Sequence, residues 1–479
     1  MPRINLDNVL APHPYAKDLL EGLSRAGYRS VIVGGTVRDA LLGRYEVSYD
    51  FDPESTDIDI ATSASTDEIK ETFPEFDFLE VGESFGVLVL VAPDGNQYEV
   101  AQFRTESDYD GRRPGKVKPA DSLEEDVSRR DFTVNGLAVG LDGEVIDLVG
   151  GIADLKKKIV RAIGDPLRRF KEDYLRPLRA VRIACYLAGQ IETETVKAIE
   201  EVAGEITSIS RERIRDELFR IFETTRSGWG LRLSHDTGLL DQILPEMVAN
   251  EGIPQPKEYH PEGDVLEHSF QALEVADDLK LPPLTKLAVF LHDVGKAGAY
   301  YYNDKKHMGG HASLGRRKTE KIALRLRLSN DEANKLTWLV ENHMRGSVLP
   351  KMRKAKQVKL VRNHQKEKFS IDDISRRFDY FTSLVATIIA DSEASSHGVE
   401  GWLPVLKELS TLLPHLQHLE NLGTARQLIN GDDLINLGLQ EGPELGEVLE
   451  KLHEMIYAGE IETRSAALEE AAKMVERAG

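Results

Sequence analysis

The chain is almost without cysteine: Cys185 is the single one in 479 residues. A disulfide within the chain is therefore impossible and a cysteine-built metal site is excluded, which fits a reducing cytosol. It also lacks any uninterrupted apolar run approaching the length of a membrane span, and its first residues lack the apolar core of a signal peptide. Neither a membrane partner nor export is expected, and the expected location is cytoplasmic. Positive charge is in deficit as well. The 61 Lys and Arg stand against 81 Asp and Glu, a formal net charge of −20. Taken as a sum, that argues against a nucleic-acid partner, because phosphate contacts come from Lys and Arg.

With 41% apolar and 30% charged residues the composition is that of a soluble globular protein, too long for one core and long enough for three or four domains. The basic residues it does have are clustered. Between Lys351 and Lys368 there are eight, against one acid, Glu367. Arg112-Arg113 with Lys116 and Lys118, Lys156-Lys157-Lys158, and Arg168-Arg169 with Lys171 form further clusters. Together they offer a basic track on an otherwise acidic body.

The stretch that organises the chain is Thr56-Asp57-Ile58-Asp59-Ile60. On a strand, side chains alternate faces, so Asp57 and Asp59 point one way while Ile58 and Ile60 enter the core. Such a pair suits Mg²⁺, which takes oxygen ligands and bridges to substrate phosphates. Upstream, Val31-Ile32-Val33 breaks at Gly34-Gly35 and opens a helix through Thr36-Val37-Arg38-Asp39. That turn brings bare backbone N–H groups to one point, which suits a triphosphate, and Arg38 adds a positive charge.

A helix near residues 66–73 follows, then a hairpin from Gly86–Ala92 through Pro93-Asp94-Gly95-Asn96 to Gln97–Phe103, with Glu99 as a candidate third carboxylate. Arg104 to Asp126 shows neither period and reads as a long mobile loop. Arg129-Arg130-Asp131-Phe132-Thr133-Val134-Asn135 leads into another strand, and from about residue 150 helices dominate. Asp173, Arg176, Arg179 and Arg182, at intervals of three, would form one helix stripe, with Pro177 as a kink. Ile253-Pro254-Gln255-Pro256 looks like a linker, and a domain boundary is placed there.

Gly34 through Asp39, Asp57-Ile58-Asp59, Arg129 through Asn135 and Glu172-Asp173-x-x-Arg176, in that order, resemble the class II tRNA nucleotidyltransferases, the CCA-adding enzymes and bacterial poly(A) polymerases. The resemblance covers roughly residues 15–247. Two features depart from the family pattern: a longer Arg44–Thr56 segment, and Gly136 in place of Ala; neither removes a chemical group. It implies that Asp57 and Asp59 bind Mg²⁺ and that Gly34, Gly35 and Arg38 bind triphosphate. It further implies that Arg130, Asp131 and Asn135 hold sugar and phosphates, and that Arg179 and Arg182 reach the triphosphate or base. The implied reaction is in-line attack of the tRNA 3′-hydroxyl on the α-phosphate of CTP or ATP, with loss of pyrophosphate. The selecting pair can be read physically. Cytosine and adenine both present an amino donor beside a ring-nitrogen acceptor, and Asp173 beside Arg176 complements that pattern while opposing uracil and guanine.

Seven of the thirteen histidines fall between His260 and His364. Val265, His268, Ala272, Val275 and Leu279 share a helix face, and an apolar run precedes His292-Asp293. Histidine with carboxylate is a ligand set for a divalent transition metal. His268, His292, Asp293 and the distant Asp391 resemble the HD phosphohydrolase domain, with His311 and His343 as candidates for a second metal.

The expected architecture is an α/β nucleotidyltransferase head (1–150) followed by all-α regions: a neck (151–205), a body (206–256), an HD domain (257–400) and a tail (401–479). The expected function is CCA addition to tRNA, with 3′-end phosphohydrolysis in the HD domain. The alternatives are A-only or CC-only addition, poly(A) synthesis, or an HD phosphohydrolase whose head binds tRNA.

Overall fold

The computed structural model describes residues 2–45, 58–79, 86–93, 95–362, 371–421 and 425–478. Asp57, Asp94, most of the Arg44–Thr56 segment and the end of the basic run to Lys368 lie outside the described residues. The chain forms two compact units, Met1–Ile243 and Leu244–Gly479.

The first unit contains strands β1 (Ser30–Val33), β2 (Asp59–Thr62), β3 (Asp77–Leu79), β4 (Val87–Val91), β5 (Gln97–Gln102), β6 (Arg104–Ser107), β7 (Lys116–Pro119), β8 (Leu137–Val139) and β9 (Val145–Asp147). Seven of them make one sheet in the order β3-β4-β5-β2-β1-β8-β9. Its pairs are antiparallel except β2 with β5. In β4 burial alternates along the valine–leucine run, as a half-covered strand requires, whereas Val31, Ile32 and Val33 of central β1 are all buried. Val31, Val33, Ala61, Phe103 and Ala138 pack with Leu123 and Val127 of the Leu123–Ser128 helix. The Pro14–Arg25 helix, with Leu19, Leu20 and Leu23 buried, also packs on β1.

Two expectations are corrected. The segment Arg104 to Asp126 is not a loop: β6 and β7 pair as an antiparallel ribbon, and the Leu123–Ser128 helix begins inside the segment. The ribbon escaped notice because its strands are short and polar. It is held by charge instead, with Glu106 Oε1 accepting from Arg104 Nε at 2.7 Å and Arg129 Nη1 at 3.0 Å. The stripe of Asp173, Arg176, Arg179 and Arg182 is also broken. One helix, Pro166–Glu172, ends where Asp173 is extended (φ −148, ψ 108), and a second runs Arg176–Tyr186. Pro177 falls in the first turn of that second helix, where its missing N–H interrupts nothing. A short parallel pair, β10 (Ile159–Val160) with β11 (Gln190–Ile191), is the strand structure described beyond residue 150.

The regular elements described in the second unit are helices joined by turns and loops. His268 lies on the Val265–Asp278 helix with Val265 and Ala272 buried, but Leu279 is 45% exposed because the helix stops one residue before it. The C-terminal helices Pro443–Ala458 and Arg464–Ala478 close a separate core around Leu412, Leu434 and Leu452. No described helix is long and apolar enough to cross a membrane.

Between the Val265–Asp278 helix and the next, Pro283–Leu291, Lys286 Nζ meets Asp277 Oδ1 at 2.7 Å, the side chains only 2% and 3% exposed. Removing one partner of a buried pair strands the other charge. Lys286→Ala is expected to destabilise the unit by about 3–5 kcal/mol in chemical denaturation; a loss under about 1 kcal/mol, the range of exposed pairs, would contradict this.

Candidate functional site

β1 ends at Val33 and the chain turns through Gly34 at φ 82, ψ −137, a backbone region that residues with a Cβ avoid. The Gly35–Leu41 helix starts directly after it. A Cβ on Gly34 would come 3.7 Å from Asp59 Oδ2 and 3.8 Å from Arg130 Nη1, so the turn has a carboxylate and a guanidinium beside it. Asp59 opens β2, and the parallel register sets it beside Glu99 on β5. Register neighbours project from the same face of a sheet, so Glu99 extends on the side of Asp59.

A pocket of about 400 Å³ opens at this place. Gly34, Gly35 and Asp59 contribute from the sheet, Arg130, Asp131 and Asn135 from the segment before β8, and Asp173, Arg176 and Arg179 from the two helices beyond. Arg104 and Arg129 complete the lining. Five guanidiniums thus face three carboxylates, which suits a polyanion. These arginines are fixed from behind by acids that sequence reading had not singled out. Asp126, fully buried, accepts from Arg129 through Oδ1 at 2.7 Å and from Arg130 through Oδ2 at 3.0 Å. Glu106 holds Arg104 and Arg129.

Asp131 ties the parts together. Its Oδ2 accepts two N–H groups of Arg179, at 3.0 and 2.7 Å, and its Oδ1 accepts from the Phe132 N–H at 2.8 Å and from Asn135 Nδ2 at 3.2 Å. Burial works to raise its pKa, but the Arg179 and Arg176 charges overcome this and hold the carboxyl far below the usual range.

Some residues stand elsewhere than the sequence suggested. Arg38 does not line the pocket. It is buried behind the glycine turn, donating to Asp39 at 2.9–3.0 Å and to Asn135 Oδ1 at 2.7 Å, with its guanidinium over the Tyr186 ring. Arg182 is also outside the lining and donates to Glu217 at 2.6 Å. Asp173 and Arg176 share the pocket without a side-chain bond to each other. Asp173 Oδ2 accepts from Arg213 at 2.7 Å, and Arg176 donates to Glu172 and to the Arg169 and Arg129 carbonyls. Those three bonds leave Arg176 two of a guanidinium's five N–H groups. Arg213, some forty residues downstream, gave no signal in sequence beyond its place on an amphipathic helix.

The second unit gathers the histidines. Ligand atoms of His268, His292 and Asp391 lie within 4.8 Å of one another, as do those of Asp293, His311 and His343. Nδ1 of His292, His311 and His343 faces the carbonyl oxygen of Val289, Met308 and Val340, at 2.7, 3.0 and 2.7 Å. Nδ1 of His268 faces Glu262 Oε1 at 2.7 Å. Acceptors at all four Nδ1 positions keep the proton there and turn every Nε2 inward as a potential ligand. His311 Nε2 and His343 Nε2 are 3.2 Å apart, and His292 Nε2 is buried without an aligned hydrogen bond, 3.1 Å from Asp293 Oδ2 and 3.5 Å from Asp391 Oδ1. This donor set fits a divalent metal. Burial disfavours charge on His292, yet the Asp293 and Asp391 carboxylates push it up to about 10; burial and the His292 charge push His343 down to about 4. Glu262, six residues before His268, was missed in sequence because nothing local marks it.

Comparison with known proteins follows the same division. Residues 30–161 match the Poly A polymerase head domain, 190–250 a probable RNA- and SrmB-binding site of polymerase A, and 265–375 the HD domain. The CCA-adding enzyme of Lactobacillus helveticus is 30% identical over 95% of both chains. That of Leuconostoc mesenteroides is 31% identical over 96% of this chain and 95% of its own. Among solved structures, the Bacillus stearothermophilus CCA-adding enzyme in complex with CTP aligns with TM-score 0.65 and 24% identity, covering 98% of this chain and 99% of that one. The Thermotoga maritima enzyme complexed with tRNA aligns with TM-score 0.58 and 19% identity over 99% of each.

A carboxylate with a depressed pKa contributes stability above its unfolded value, near pH 4, and loses that contribution as pH falls. Asp131→Asn is expected to be less stable than the parent at pH 7, with the gap narrowing by roughly 1 kcal/mol by pH 3. A gap that stays constant between those pH values in denaturant titrations would contradict the assignment.

Proposed function

The chain belongs to the CCA-adding enzymes, tRNA nucleotidyltransferases, and from that premise we propose how its residues divide the work of adding C, C and A to the 3′ end of tRNA. What supports the reading is one pocket lined by the diglycine turn, Asp59, Arg130, Asp131, Asn135, Asp173 and Arg176. Domain by domain, we read a head at 1–150, a neck at 151–205, a body at 206–256, an HD domain at 257–400 and a tail at 401–479, working in the cytoplasm.

Asp59, with Asp57 two positions before it and Glu99 beside it, offers the oxygen donors that Mg²⁺ takes. Bound there, the ion supplies charge stabilisation for an attacking hydroxyl and a leaving pyrophosphate. The diglycine turn, through the Gly35 N–H at the start of its helix, and the guanidiniums of Arg130 and Arg179 receive the phosphates of CTP or ATP, while the Gly34 N–H donates to the Leu137 carbonyl. Arg38 acts one layer back, holding Asn135, and Arg182 does the same through Glu217, which also lies 3.6 Å from Arg179. Asp173 accepts from the amino group shared by cytosine and adenine, and an unused N–H of Arg176 reaches the adjacent ring nitrogen. Uracil and guanine present the reverse pattern. Two mismatched contacts of about 1–3 kcal/mol each reject them by roughly 30- to 10⁴-fold.

A second activity, phosphohydrolysis at RNA 3′ ends, is favoured by the histidine cluster. His268, His292, Asp293 and Asp391 would hold one divalent transition metal, and Asp293, His311 and His343 a second. A metal held there would supply a nucleophilic water and charge to polarise a phosphoryl oxygen.

Asp59→Ala is expected to abolish nucleotide addition to tRNA and leave phosphohydrolysis intact, and His292→Ala to do the reverse. Normal addition by Asp59→Ala would defeat the head assignment, and unchanged hydrolysis by His292→Ala the second activity. Arg213→Ala frees Asp173 from its holding cation; the expected result is about a tenfold or greater rise in UTP or GTP use relative to CTP. Unaltered selectivity in single-nucleotide incorporation would show that Asp173 needs no such support.

A further inference from the structure

One of the four inward-facing histidines of the second unit is supported differently from the rest. Nδ1 of His292, His311 and His343 meets a neutral carbonyl oxygen three residues earlier in the chain, at 2.7, 3.0 and 2.7 Å. His268 meets a carboxylate instead. Glu262 Oε1 lies 2.7 Å from His268 Nδ1 and 2.8 Å from His260 Nδ1, so one oxygen accepts from both rings. The chain bends at Gly263, φ 135, before Asp264 caps the Val265–Asp278 helix, and from that bend Glu262 reaches His268. Its other oxygen, Oε2, is buried with no hydrogen-bond partner among the described residues, and the side chain is 4% exposed. Among those residues its ion-pair partners are the two histidines, with no lysine or arginine. An unsatisfied buried group costs about 1–3 kcal/mol, and more when charged.

We propose that Glu262 is a positioning residue that makes the two metal positions of the histidine cluster unequal. The position built on His268, His292 and Asp391 fills first, and the one built on Asp293, His311 and His343 fills second and exchanges more readily. This rests on the reading of the cluster as a metal centre. An imidazole whose outer N–H is held by a carboxylate is a stronger donor at Nε2 than one held by a carbonyl, and its tautomer and ring orientation are fixed. The surrounding charges point the same way. Asp391 Oδ1 stands 3.0 Å from His268 Nε2 and 3.5 Å from His292 Nε2, and its ion-pair partners among the described residues are those two histidines. In the second position Asp293 Oδ1 stands farther away, 3.5 Å from His311 Nε2 and 3.8 Å from His343 Nε2, and its Oδ2 meets Lys296 Nζ at 2.5 Å. A cation in the first position therefore meets a carboxylate that no lysine neutralises, with a second acid behind His268. Bound there, it also offsets across the imidazole the buried negative charge that Glu262 otherwise carries with only histidine partners.

The test titrates the metal-free full chain with Co²⁺, followed by calorimetry and visible absorption, in the parent and in Glu262→Gln, which keeps the side chain's shape and removes its charge. His292→Ala and His343→Ala assign the binding steps: the first is expected to abolish the tighter step and the second the weaker. Cobalt held in the head is common to all four proteins and cancels in the differences. In Glu262→Gln the tighter step is expected to weaken by about 10- to 100-fold while the weaker step shifts by less than about threefold. A merely structural role would weaken both steps together. Should Glu262→Gln lower the melting temperature of the metal-free chain, His260→Phe keeps a ring and removes the donor that pins Glu262, with a smaller loss expected at the same step. An unchanged tighter step, equal weakening of both, or two equal steps in the parent would overturn the proposal. A parent that binds no more cobalt than the His292→Ala/His343→Ala double variant would overturn the metal reading of the cluster itself.

Discussion

The pocket of the first unit depends on one buried carboxylate, Asp131, clasped by Arg179. Through its second oxygen the same carboxylate fixes the Phe132 N–H and Asn135, and Asn135 in turn receives Arg38 from behind the glycine turn. A single chain of charge-assisted hydrogen bonds therefore runs from the diglycine bend to the Arg176–Tyr186 helix. Such bonds are about twice as strong as neutral ones, and their forked geometry sets orientation as well as distance. What the linkage supplies is a fixed separation between the diglycine turn and the side of the pocket formed by Asp173, Arg176 and Arg179. Under the proposed reading, selection by a protein surface without a template strand requires that separation to hold.

The same device is repeated around the rim. Arg104, Arg129 and Arg130 would repel one another if left loose, and Glu106 and Asp126 hold them in place while their positive face remains toward the pocket. In the second unit the logic is inverted. There, backbone carbonyls and Glu262 occupy the outward nitrogens of four histidines, and the inward nitrogens converge with Asp293 and Asp391. One site suits a polyanion and the other a cation, and each is held by groups placed one layer behind its lining.

That layering explains what was legible in the sequence. Residues that line the pocket or the histidine cluster belong to short motifs with fixed spacing, so Gly34-Gly35, Asp59, Asp131, Asn135, Asp173, Arg176, His268 and His292-Asp293 could be named from the chain alone. The residues behind them, Glu106, Asp126, Arg213, Glu217 and Glu262, are brought in by tertiary packing and carry no local signature. Helices and strands with apolar periodicity were equally plain, including β4 and β5. The ribbon of β6 and β7 was not, because charge rather than apolar alternation holds it. The break at Asp173 was hidden since Pro177 fits a helix start as well as a kink. Arg38 shows the remaining limit: it stands at the expected turn, and only the structure reveals that it is buried against Asp39, Asn135 and Tyr186.

The central claim is that one pocket, with Asp173 and Arg176 as its reading face, accepts C and A and stops after three additions. The most direct measurement supplies tRNA lacking its last three nucleotides with all four nucleoside triphosphates and reads the sequence of every product end. The account predicts ends of C, C, A and no further growth. Product ends carrying U or G, or a long run of A, would contradict it.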